Sequence, residues 1–164
     1  MRNILLKLTL LVSAINASLA VENTKKVTES NQKVQDTEAA FKYFSDELSF
    51  TAGPGTAKKV SEGKLDGVII DLRREEHFDK GHIPGAINLP FNKYDGFEGN
   101  QTDFPGLSKD KINYVYCYEL LCNLSQKAAK KFASLGYPVK EIKGGLKSYE
   151  EHLYPIEKTN SHID

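Results

Sequence analysis

From Asp36 onward the apolar positions alternate between two periods. Ala39, Ala40, Tyr43, Phe44 and Leu48 recur at helical spacing and predict an amphipathic helix that ends before Ser49 or Phe50. Ala52-Gly53-Pro54-Gly55 breaks it, and Thr56 to Glu62 restarts a short helix that Gly63 stops. Gly67-Val68-Ile69-Ile70-Asp71-Leu72 is a continuous apolar run, as expected of a strand buried on both faces of a parallel sheet. Glu75 to Lys80 has room for one or two helical turns. A small strand, Ala86 to Leu89, stops at Pro90. Phe91 to Leu107 is long, glycine-rich and aromatic, the pattern of a lid or of an unstructured loop. A strand ending at Cys117, a helix from Leu124 to Leu135, a strand from Pro138 to Ile142 and a helix from Leu146 to about Leu153 complete the series. Strands and helices in alternation predict an α/β domain around a mostly parallel sheet.

Upstream of Asp36 the pattern is different. Residues 1–20 open with Arg2, continue as a mostly apolar run from Ile4 to Ile15, and close on Ser18-Leu19-Ala20, the layout of a signal peptide. That run is too short to span a membrane, so no stable membrane insertion is expected once the leader is removed. Residues 21–35 are polar, with too little apolar surface to offset their ordering entropy, and read as a tether. The predicted organisation is therefore a leader, a tether, a domain over 36–155 and a tail over 156–164. The product is expected to be exported, periplasmic or secreted, from a leader of bacterial type. Basic and acidic residues number 22 each, which gives no basis for a nucleic-acid partner.

Chemistry concentrates where the Cys117 strand meets the following helix. A helix N-terminus carries unpaired N–H groups and partial positive charge, which favour thiolate over thiol. Cys117 is accordingly the candidate nucleophile. Cys122, five positions on, reads either as a resolving cysteine or as a small packed side chain. Asp71 and Arg73 share one face of the first buried strand at its carboxyl end, where open α/β sheets bind ligands. They read either as part of the site or as an ion pair tying the strand end to its loop. In Gly81-His82-Ile83-Pro84-Gly85-Ala86, two glycines and a proline hold His82 in a fixed turn, where its first role is to hydrogen-bond backbone. Two cysteines are too few for a disulfide scaffold or a Cys-based zinc site, and no metal or cofactor is expected.

Asp71-Leu72-Arg73, Glu76-His77-Phe78 and Gly81-His82-Ile83-Pro84-Gly85-Ala86-Ile87-Asn88-Leu89-Pro90 together resemble the signature of rhodanese-like domains, a resemblance that extends from about Phe41 to His152. It implies a three-layer fold with about five parallel strands and helices on both faces. It also implies a sulfurtransferase that carries sulfane sulfur as a persulfide on Cys117, in a cradle of backbone N–H groups from Tyr118, Glu119, Leu120, Leu121, Cys122 and Asn123. Asp71 and Arg73 support that cradle. The implied partners are a small sulfur donor and a thiol or protein-thiol acceptor. The Cys-x4-Cys loop resembles one subgroup of the family. Two departures stand out: the loop lacks the usual Arg, Asn123 occupying the place of the Arg in phosphatase relatives, and Tyr149 replaces a customary Trp. A second reading is a non-catalytic or redox-sensing domain built on a Cys117/Cys122 dithiol.

Overall fold

A computed structural model describes residues 18–22 and 36–159. Most of the predicted leader and tether, and the end of the tail, lie outside the described residues; residues 18–22 are helical. The chain divides into two compact units, Met1–Ser45 and Asp46–Asp164. Helix α1 (Thr37–Phe50) begins where the Asp36 carboxylate accepts the Ala39 N–H at 3.0 Å, an N-cap bond. Its Tyr43, Phe44 and Leu48 are exposed. Helical spacing therefore marked the element but not a buried face.

The larger unit holds strands β1 (Thr51–Ala52), β2 (Val68–Asp71), β3 (Ile87–Asn88), β4 (Asn113–Tyr116) and β5 (Val139–Ile142), with helices α2 (Pro54–Ser61), α3 (Glu75–Lys80), α4 (Leu124–Ser134) and α5 (Gly145–Glu151). All five strands pair in parallel in the order β1-β5-β4-β2-β3. Alternation along the strands divides the core between the two faces. Ile69, Tyr114 and Tyr116 join Ala57 of α2 and Leu146 and Tyr149 of α5 on one side. Ile70 and Val115 join Ala128 and Phe132 of α4 on the other. The result is a three-layer α/β fold. At its centre, β4 is buried along its whole length, and it delivers Cys117 at its carboxyl end.

Two elements differ from the expectation. Sequence pattern missed β1, whose two residues are strand only because they pair with Glu141 and Ile142 of β5. The Phe91 to Leu107 connection is not unstructured. It makes two short 3-10 turns, Phe91–Lys93 and Asp95–Phe97, and buries Phe97 and Phe104 against Phe132 with ring centroids 5.5 and 4.9 Å away. Its aromatic side chains form the outer part of one core layer.

Candidate functional site

β4 ends at Tyr116, and the chain turns through residues 118–123 into α4. The turn is closed by the Cys122 N–H donating to the Glu119 carbonyl at 3.1 Å. Its base is clamped by α5: the Leu146 and Lys147 N–H groups donate to the carbonyls of Cys117 and Tyr118 at 2.9 and 3.0 Å. So close an approach requires Gly145, whose φ is +58° and where a Cβ would stand 2.5 Å from the Cys117 carbonyl oxygen.

Cys117 is 1% exposed. Its Sγ lies 3.4 Å from the Cys122 carbonyl, 4.0 Å from the Glu119 carbonyl and 3.9 Å from the Ser125 hydroxyl. The closed turn thus points carbonyl oxygens at the sulfur, where a ring of amide hydrogens had been expected. Burial, and then the neighbouring Cys122 thiol, push the Cys117 pKa up to about 12, with the backbone N–H and the hydroxyl of Ser125 pulling the other way. An exposed, low-pKa thiolate is not what the fold presents: a buried thiol in reach of carbonyls rests protonated. Both cysteines are free, and Cys122 is half-buried.

The other candidates separate into two groups. In the first, Arg73 holds Asp71 through Nε (3.0 Å) and Nη2 (2.6 Å) and donates from Nη2 to the Gly81 carbonyl at 2.7 Å. Burial opposes the Arg73 charge, but the Asp71 carboxylate outweighs it and raises the guanidinium pKa. Asp71 and Arg73 therefore tie the β2 end to the turn beyond it. His82 stacks on Phe78 at 3.7 Å and sets Nδ1 2.8 Å from the Phe78 carbonyl. Its backbone exchanges two hydrogen bonds with Glu157, both 2.9 Å. Gly85, at φ +73°, donates its N–H to the Glu157 carboxylate at 2.9 Å. This group holds structure.

The second group lies on the Cys117 turn. The Tyr118 ring sits 5.8 Å from the Arg73 guanidinium carbon and edge-on to His77 at 5.1 Å, which links the turn to the ion pair. Glu119 pairs with Lys147 at 3.2 Å. Leu120 and Leu121 are 72% and 88% exposed, and Asn123 is exposed just before α4. Glu119, Leu120, Leu121, Lys143 and Lys147 line a groove of about 510 Å³.

Sequence reasoning missed Glu141. Its carboxylate accepts the Ser125 hydroxyl at 2.7 Å, beside Cys117. The available signal was a charged residue inside a predicted strand of the sheet. Among the described residues no three His, Cys, Asp or Glu side chains converge as metal ligands, and no helix is long and apolar enough to cross a membrane.

The model of the family described as rhodanese-like domain matches residues 56–152. The chain belongs to the rhodanese-like domain family. Among relatives, it is 36% identical over 109 residues to the adenylyltransferase and sulfurtransferase UBA4 of Candida albicans, a match covering 63% of this chain and 24% of that protein. It is 30% identical over 102 residues to the tRNA sulfurtransferase of Desulfurococcus amylolyticus, covering 62% and 19%. The rhodanese-like chain thus spans about a quarter or less of the length of these relatives. The crystal structure of the BH2092 protein of Bacillus halodurans is 31% identical, with a TM-score of 0.62 and coverage of 76% of this chain and 88% of that one. A rhodanese-related protein of Thermoplasma volcanium, 23% identical at a TM-score of 0.52 with coverage of 65% and 96%, shares the fold.

Proposed function

We propose that this rhodanese-like domain transfers sulfane sulfur through Cys117. The observation that carries the reading is the placement of that thiol at the carboxyl end of the central strand, at the base of the turn that leads into α4, in a domain whose relatives are named sulfurtransferases. The ionised Sγ attacks the outer sulfur of a donor persulfide, the donor S–S bond breaks, and the donor leaves as a thiolate. An acceptor thiolate then attacks the outer sulfur of the Cys117 persulfide, and Cys117 leaves in turn. The two exchanges involve no net oxidation.

The cations around the turn favour a persulfide donor over thiosulfate. Arg73 is committed to Asp71 and Gly81 and Lys147 to Glu119, while Arg74 meets Glu76 at 3.8 Å and lies over the Phe91 ring. The buried Arg73 fork is therefore already occupied and is not open to an oxyanion. The leader reading extends the proposal to an exported protein, testable by sequencing the mature N-terminus.

The site is tested by exposing the protein to an organic persulfide or to thiosulfate and weighing the Cys117 peptide. One added sulfur from the persulfide, little from thiosulfate and none in Cys117→Ser is the expected pattern. A second reading, a dithiol switch or binding domain, is favoured by the burial of Cys117 beside the Cys122 thiol. Absence of added sulfur from every donor, with a Cys117–Cys122 disulfide forming under mild oxidant, would select it.

A further inference from the structure

Ser125 lies in the first turn of α4 and is 3% exposed. Its hydroxyl has one hydrogen and two neighbours able to receive it. The Glu141 carboxylate stands at 2.7 Å and the Cys117 sulfur at 3.9 Å. A short bond to a charged oxygen prevails over a long one to a thiol. The hydrogen therefore points to Glu141, and a lone pair of the Ser125 oxygen faces the sulfur.

Glu141 is held for this task from both sides. β5 pairs with β1 at Thr51↔Glu141 and with β4 at Val115↔Glu141. In parallel register with Val115, its side chain projects to the α4 face of the sheet. Lys143 lies 3.4 Å from its other oxygen and is itself bound to Glu47 at 3.1 Å. The Glu141 side chain is 13% exposed.

We infer that Glu141, by fixing the direction of the Ser125 hydroxyl, is the positioning residue that holds Cys117 in its thiol form at rest. The inference takes Cys117 as the sulfur carrier. Around the sulfur stand the carbonyls of Glu119 and Cys122 and the oxygen of Ser125. With the Ser125 hydrogen on Glu141, all three can receive a thiol hydrogen and none donates to a thiolate. The opposing groups are the Ser125 backbone N–H and, whenever it turns from Glu141 to the sulfur, the Ser125 hydroxyl. The titratable groups facing the site are Cys122 from the turn, Glu141 from β5 and Lys143 just beyond that strand; the Glu119 carboxylate is turned to Lys147. When Cys117 loses its proton, the Ser125 hydroxyl can donate to the thiolate only by leaving Glu141.

The test is iodoacetamide alkylation of Cys117 against pH in the full chain, with fragment mass spectra separating Cys117 from Cys122. Glu141→Ala frees the hydroxyl and is expected to lower the Cys117 pKa. A drop of one unit speeds alkylation near pH 8 by roughly threefold, because a tenfold gain in thiolate is partly offset by its lower nucleophilicity. Ser125→Ala is expected to stay near wild type, since its hydroxyl gave the sulfur no hydrogen. The double variant is expected to lose the gain. An unchanged profile in Glu141→Ala, or a double variant as fast as Glu141→Ala, would overturn the role: the first removes the effect, and the second assigns it to charge alone. Glu141→Gln keeps the side-chain volume and weakens the acceptor; it is expected to shift the profile in the same direction by less, and supplies the readout if the alanine variant does not fold. Persulfide loading of the same proteins is read separately. Its absence throughout sinks the sulfur-carrier reading and leaves the order of alkylation rates to decide this one.

Discussion

The connection from Phe91 to Leu107 and the turn from Tyr118 to Asn123 invert what their lengths suggest. The longer one is anchored by Phe97 and Phe104, both 3% exposed, against α4. The shorter one, set at the end of the most buried strand, leaves Leu120 and Leu121 in solvent. Aromatic density made the first connection part of the core, because each buried ring contributes an area that short polar loops cannot offset. Backbone hydrogen bonds from α5 and the close approach of Gly145 fix the base of the second, and the Glu119–Lys147 pair ties down its first half. Length is therefore a poor guide to whether a connection belongs to the core; what its side chains bury decides it.

The sharpest way to break this comparison is Phe104→Ala. If the long connection is core, truncating that ring costs about 3–5 kcal/mol in urea unfolding. A cost below about 0.5 kcal/mol, typical of a surface site, would return the connection to the class of loose loops. Next in size is Arg73→Lys. Lysine keeps the charge but loses the fork that grips Asp71 and the Gly81 carbonyl. The expected loss is about 1.5–3 kcal/mol, the range of hydrogen bonds to charged groups. Because the Arg73 guanidinium also lies over Tyr118, the same variant should loosen the turn. Faster amide exchange around residues 118–123 would show it.

The parts legible in the sequence were those fixed by local pattern. The apolar run at Val68 to Asp71, the Cys117 strand and the α4 helix recur in the structure within a residue or two. The His82–Gly85 turn was legible because its glycines and proline restrict the backbone by themselves. β1 was not, because two residues carry no period and become strand only through β5. Nor was the protonated state of Cys117. A helix N-terminus argued for amides around the sulfur, but the Glu119–Cys122 turn rotates carbonyls inward, and nothing in the order of residues states that rotation. Glu141 escaped for a similar reason: its link to Ser125 joins residues on two layers. The family resemblance carried the fold, but not the electrostatic surroundings of the candidate thiol.

A smaller effect is expected from Tyr149→Phe. Tyr149 stands where the family resemblance expects a Trp. Tyr149 is fully buried, and among the described residues its hydroxyl is the buried side-chain polar atom that lacks a hydrogen-bond partner. An unsatisfied buried hydroxyl costs about 1–3 kcal/mol. Phenylalanine keeps the ring that meets Tyr154 edge-on at 5.1 Å and is expected to raise stability by about 1 kcal/mol. Destabilisation on urea titration would mean that the hydroxyl meets a water or another partner after all.

The smallest effect on stability belongs to Leu120→Ser and Leu121→Ser. Both side chains are exposed, so each change should move the unfolding free energy by no more than about 0.5 kcal/mol. If the turn were core like the longer connection, the loss would instead approach the few kcal/mol of a buried leucine. Function is where these two residues should count. Two neighbouring leucines in solvent, on the rim of a groove beside the candidate thiol, are the kind of surface a protein acceptor covers on docking. Transfer from Cys117 to a small thiol should then be unaffected in both variants, whereas transfer to a protein thiol slows. Equal rates with both acceptors would leave the leucines no part in recognition, and the contrast between the two connections would be one of packing alone.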